Sequence, residues 1–179
     1  MYLKSKKIAF LGLLTALSVV MIVMSGIFEF STLFFLAVAA ACVGIAIYEA
    51  GVVSGSCLFV ASLLLGLLLA PNKMYCLTYS ALSIYIIAIE ATFRLVEKKV
   101  PDRNQRKRIV LPLKLVYFNM IYLPILFFLP KLIYSGTFSP TVYGIAIIGG
   151  QVIFYLFDHI YFCFIDYYGS VLRNRLHIK

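Results

Sequence analysis

The chain has 179 residues, of which 63% are hydrophobic and 13% charged, with a mean hydropathy of +1.00. Soluble domains carry about 25% charged residues, so this composition excludes a soluble globular domain and indicates an integral membrane protein. The net charge of +9 does not point to nucleic acid, because the cations sit beside apolar segments and form no basic face interleaved with aromatics. Membrane orientation and contact with anionic lipid head groups account for them.

The apolar segments are continuous rather than alternating, which argues against a transmembrane β-barrel and leaves an all-α membrane bundle. At roughly 20 residues per span, six helices fit, over residues 7–25, 32–47, 52–70, 74–96, 109–129 and 142–167, in one transmembrane domain covering residues 1–179. The start, Lys4-Ser5-Lys6-Lys7 before Ile8 to Met24, has the charge pattern of a signal peptide. Its apolar run is long and no small-x-small cleavage site follows, so it reads as an uncleaved first span. Within it Gly12 and Ala16 stand four apart and share a face that lets another helix approach closely; before any family is considered, packing inside the chain is the simpler use for that face.

The second span carries Ala37, Ala40, Ala41 and Gly44 as a small-residue face expected to pack against neighbours. A short turn, Tyr48-Glu49-Ala50-Gly51, forces an antiparallel hairpin, and Glu49 is placed to cap the third span. The third span carries Gly55, Ser62 and Gly66 and ends at Pro71-Asn72-Lys73. In the fourth, Tyr75 and Tyr79 share a face, as an aromatic belt or a cavity wall, and Glu90 can pair with Arg94 one turn on.

The run from Glu97 to Arg108 holds six cations and two acids and reads as a cytoplasmic loop. The fifth span contains Pro112, Lys114, Asn119, Tyr122 and Pro124, and its prolines make it the expected irregular helix. An outer loop, Pro130 to Thr141, leads to the sixth span, which opens on a flexible Gly149-Gly150-Gln151 and contains Asp158 and His159. With six spans, thirteen cations fall on the side of the two termini, Lys73 and Lys131 fall opposite, and Lys114 lies within a span. That asymmetry predicts both termini in the cytoplasm.

Two groupings of polar residues stand out. Glu90, Lys114 and Asp158 all fall in the cytoplasmic half, roughly 6–12 Å from the inner boundary at about 1.5 Å per residue. They read either as an intramembrane polar cluster joining three helices, or as a Lys114 that snorkels outward while Glu90 pairs with Arg94. On the outer half, Asn72, Lys73, Tyr75, Tyr79, Asn119, Tyr122, Tyr134, Gln151 and Tyr155 could line a small-molecule pocket, which needs aromatic walls and a few amides and cations. The competing reading is an aromatic belt with interhelical hydrogen bonds. Cys42, Cys57, Cys76 and Cys163 lie within or at the ends of apolar segments without CxxC or metal-ligand spacing, and no metal or cofactor is expected. No HExxH, GxSxG or P-loop sequence is present, and no catalytic residue is assigned.

Six short spans, both ends inside, and the opening Lys6-Lys7-Ile8-Ala9-Phe10-Leu11-Gly12-Leu13-Leu14-Thr15-Ala16-Leu17-Ser18 together resemble the substrate-binding S component of an energy-coupling-factor transporter. The resemblance implies a vitamin or similar micronutrient taken from outside at the outer ends of helices 4 to 6. It also implies docking of the small-residue face, here Gly12 and Ala16, on a membrane coupling subunit with cytoplasmic ATPases, in the plasma membrane of a bacterium. Glu49-Ala50-Gly51, Pro71-Asn72-Lys73 and Tyr79 are similar to the layout of small six-span proteins of Gram-positive bacteria. In size and span number the chain also resembles the MreD-type subunit of the rod-shape complex, which implies a scaffold and no ligand. Lys114→Met separates the two readings of the inner polar residues: loss of folded protein on expression is the outcome for a cluster, and unchanged yield is the outcome for snorkelling.

Overall fold

The computed structural model describes residues 2–28, 31–99, 103–128 and 140–169. Every element among them is helical: α1 (Tyr2–Ile27), α2 (Thr32–Ala50), α3 (Val52–Leu69), α4 (Lys73–Lys99), α5 (Arg103–Phe128) and α6 (Pro140–Tyr167). Five of these are long and apolar enough to cross a membrane, over Ser5–Ile27, Thr32–Ala50, Val52–Leu69, Lys73–Glu97 and Gly144–Tyr167. That is the length and composition of a multi-pass membrane protein. The apolar part of α5 is shorter, Pro112–Phe127.

The chain forms two compact units, Met1–Ile121 and Tyr122–Lys179, so that α5 is shared between them. In the first unit α2 is the central helix, packed against α1, α3 and α4. Its residues Cys42 to Ile47 are all buried, although only Ala40 and Gly44 of the expected small-residue face are fully so; Ala37 and Ala41 are half-buried. A helix touched on three sides has no single inward face, which is why a one-face reading of α2 falls short. Its neighbours each present one stripe at helical spacing: Leu14, Ser18, Ile22 and Ser25 on α1, Gly55, Leu58, Ser62 and Gly66 on α3, and Cys76, Tyr79, Ser83, Ile86 and Glu90 on α4.

Three boundaries differ from expectation. Tyr48, Glu49 and Ala50 complete the last turn of α2, leaving Gly51 alone to join α2 to α3. Gly51 sits at φ +94°, a conformation that an L side chain rarely adopts. Its N–H donates to the Ile47 carbonyl at 2.9 Å and its own carbonyl accepts from Gly55 N–H at 3.1 Å. Gly51 is thus the N-cap of α3, and Glu49 belongs to the helix before it.

The basic run is the second difference. It is helical on both sides of residues 100–102, closing α4 and opening α5, because Arg, Lys and Gln are good helix formers and a helix continues into water as readily as a loop replaces it. Third, Gly149-Gly150-Gln151 lies inside α6, nine residues beyond its start. Gly150 is buried against the Tyr122 ring, which occupies the space a Cβ would need. α5 itself runs unbroken through Pro112 and Pro124.

Close helix approach in the first unit depends on glycine. A Cβ on Gly55 would run into the Ile47 side chain, and one on Gly66 would meet Ile22 at 3.3 Å and Cys76 Sγ at 3.5 Å. Gly12 has nothing within 4 Å of where its Cβ would lie. Gly55→Ala is therefore expected to destabilise by about 1–3 kcal/mol through overpacking. Gly12→Ala should instead stabilise by up to about 1 kcal/mol through helix propensity. Thermal unfolding of the detergent-solubilised protein reads both.

Candidate functional site

The residues expected to line an outer pocket fall into three groups. Asn72, Lys73, Tyr75, Tyr79 and Asn119 belong to the first compact unit, Tyr122, Gln151 and Tyr155 to the second, and Tyr134 lies outside the described residues.

In the first unit, Asn72 and Lys73 are exposed at the start of α4. Asn72 Oδ1 accepts from the Met74 N–H at 3.0 Å, satisfying one of the unpaired amides that every helix N-terminus presents. Tyr75 is half-buried. Asn119 Nδ2 donates to the Leu115 carbonyl one turn back on its own helix, at 2.8 Å.

Tyr79 is the largest fully buried side chain of the described residues. Its hydroxyl lies 2.6 Å from Ser62 Oγ and accepts from Ser18 Oγ at 3.2 Å. Proton accounting orients the network. Ser62 Oγ donates to the Leu58 carbonyl at 2.8 Å, so Tyr79 is the donor of the short bond to Ser62. The one Ser18 hydroxyl proton is shared between Tyr79 Oη and the Ala39 carbonyl, each 3.2 Å away. One phenol thereby connects α1, α3 and α4, and α2 joins through its backbone. Phe59 lies beside the Tyr79 ring with centroids 6.0 Å apart. Four apolar helices alone leave little to define their rotation, since lipid tails are as apolar as the side chains; this network supplies the missing specificity. Tyr79 is a core residue of the bundle, and the expected sharing of a face with Tyr75 holds only as helical spacing.

In the second unit, Tyr122 Oη donates to the Ala146 carbonyl of α6 at 2.7 Å while its ring lies over Gly150. Gln151 is half-buried. Tyr155 is 72% exposed, its ring parallel to that of His159 with centroids 6.4 Å apart.

Among the inner polar residues, Glu90 is buried and Lys114 half-buried, both in the first unit, and Asp158 is half-buried in the second. Arg94, expected to pair with Glu90, sends a guanidinium N–H to the Ile47 carbonyl, the same carbonyl that accepts from Gly51. A cation there complements the negative end of α2. Thr92 Oγ1 and Tyr117 Oη lie 3.2 Å apart and tie α4 to α5. On α1, Gly12 and Ala16 are both exposed. The four cysteines are free, Cys42 and Cys76 buried, Cys57 and Cys163 exposed. No group of three or more His, Cys, Asp or Glu side chains converges among the described residues.

The chain matches no protein-family model, and no curated protein or solved structure is significantly similar to it.

Sequence reasoning missed the network around Tyr79. Its signal was available in Ser18, Ser62 and Tyr79 occupying the helical stripes of three spans, but which stripes face one another is a tertiary fact. Tyr79→Phe removes the shared hydroxyl while leaving both serines a backbone acceptor, so no buried donor is orphaned. The expected cost is about 1 kcal/mol, the scale of interhelical hydrogen bonds in membranes. A double-mutant cycle with Ser62→Ala, followed by unfolding in mixed micelles, should recover most of it as coupling.

Proposed function

We propose that this chain is the substrate-binding subunit of a micronutrient uptake transporter, taking a vitamin-like small molecule from the outer side and docking through α1 on a membrane coupling subunit powered by cytoplasmic ATPases. The observation that carries the docking half is the exposure of Gly12 and Ala16. Glycines that serve contacts within the chain are filled in, as Gly55 and Gly66 are by Ile47 and Ile22, whereas Gly12 has open space beside it. A small-residue pair left outward on an apolar helix suits close approach by a helix of another protein. The cation asymmetry supports six spans with both termini cytoplasmic; a bacterial plasma membrane is what the resemblance to energy-coupling-factor S components implies. The capture half rests on the sequence, which places polar and aromatic residues at the outer ends of helices 4 to 6, and no resident cofactor is expected.

A second reading, a ligand-free scaffold of MreD type, is favoured by one observation. Several polar groups of the presumed pocket have work within the chain: Asn72 accepts from Met74, Tyr79 ties three helices, Asn119 bonds its own helix, and Tyr122 bonds Ala146. Native mass spectrometry separates the two, a co-purified small molecule supporting transport and partner proteins without any ligand supporting the scaffold. On the transport reading, Gly12→Leu or Ala16→Leu lowers uptake and recovery of the coupling subunit by at least tenfold, while the isolated protein keeps its thermal midpoint. Unchanged recovery of the coupling subunit would remove α1 as the docking face.

A further inference from the structure

The α6 span exposes a histidine and a cysteine where an apolar helix ordinarily shows hydrocarbon. His159 and Cys163 are both exposed, one helical turn apart on the same face, with Nε2 and Sγ separated by 3.8 Å. His159 lies eight residues inside the end of the Gly144–Tyr167 span, about 12 Å at 1.5 Å per residue. Only 11% of the apolar 18-residue stretch of that span is buried, against 50% for that of α2. Polar groups at membrane depth are normally enclosed by protein, and here both side chains are exposed. The Tyr155 ring lies parallel to the imidazole and favours that ring orientation.

The spacing suits one ion. Zinc bonds of about 2.1 Å to imidazole nitrogen and 2.3 Å to thiolate sulfur, set at the tetrahedral angle, place N and S roughly 3.6 Å apart. One chain supplies two of the four ligands that such an ion takes, and no third or fourth converges on them among the described residues. A second copy supplies the rest. Two copies in the same membrane orientation, related by a two-fold axis along the membrane normal, bring the same residues to the same depth. His159 and Cys163 of each then complete an N2S2 shell. Charge supports this composition: two thiolates and two neutral imidazoles around a divalent ion give a complex of zero net charge, which a low-dielectric surrounding admits most readily.

We propose that His159 and Cys163 on the exposed face of α6 form half of a tetrahedral zinc-type site, completed by the same pair from a second copy of this chain. Each Cys163 thiol loses its proton to solvent as its sulfur bonds the metal, two protons per ion, and no electron is transferred. The site uses a different helix from the α1 docking face, so it stands or falls independently of the transport reading.

The test uses the full chain in detergent micelles with Co2+ as the probe. The expected result is the intense visible ligand-field spectrum of tetrahedral cobalt with a thiolate-to-cobalt charge-transfer band, saturating at one ion per two chains and displaced by Zn2+. Charge transfer should vanish in Cys163→Ser, affinity should fall at least tenfold in His159→Ala, and Cys57→Ser, an exposed cysteine on α3, should leave the spectrum unchanged. Because both ligands are exposed, circular dichroism and the thermal midpoint of the apo variants should match the parent. In native mass spectrometry a dimer carrying one ion should revert to monomer on chelation. An octahedral spectrum, one ion per chain, charge transfer surviving in Cys163→Ser, or a dimer that persists with no cobalt spectrum would each overturn the proposal.

Discussion

A single phenolic hydroxyl fixes how the helices of the first compact unit are rotated against one another. In an aqueous protein the hydrophobic effect would drive α1 to α4 together and side-chain volume would refine their fit. In lipid that driving force is absent, and packing has to be made specific by contacts that lipid cannot imitate. Tyr79 provides them by accepting from Ser18, donating to Ser62, and so holding α1, α3 and α4 around α2. The glycines do the complementary work. Gly55 and Gly66 let backbones come close enough for such short side chains as serine to reach across. Neither device suffices alone, because a hydroxyl network at ordinary helix separation would not close, and close-packed apolar helices could rotate about one another.

Arg94 extends the same logic to the helix ends. Its bond to the Ile47 carbonyl falls where α2 stops and Gly51 turns the chain, so the end of the central helix is closed by a neighbour as well as by its own backbone. A Glu90–Arg94 pair along α4 was the simpler expectation from spacing. Arg94 also takes a tertiary partner, because the end of α2 presents carbonyls that need donors.

Composition and apolar runs made the all-helical architecture and most helix positions legible, since helices long enough to cross a membrane announce themselves by length. Boundaries were less legible where helix-favouring polar residues extend a span, as in the basic stretch around residues 97–108 and at Tyr48 to Ala50. The uses of small residues were legible only as a class. Gly12, Gly55 and Gly66 look alike in sequence, yet one faces outward and two face inward, because spacing identifies a stripe without naming its partner. Tyrosines were hardest. Tyr79 is wholly enclosed and Tyr155 is 72% exposed, although both stand in apolar spans with similar neighbours. His159 and Cys163 carry no motif in the sequence; their four-residue spacing acquires meaning only because α6 exposes both.

The one-residue joint at Gly51 also makes the α2–α3 hairpin a counting device. Four residues separate Ile47 from Gly51 and four more lead to Gly55, and no slack in the connection can absorb a change in that number. Adding or deleting one residue would rotate α3 by about 100° relative to α2, carrying Ser62 away from Tyr79 and swinging the exposed leucines of α3 into the space its glycines now occupy. The hairpin therefore accepts exchanges of side chain far more readily than changes of length.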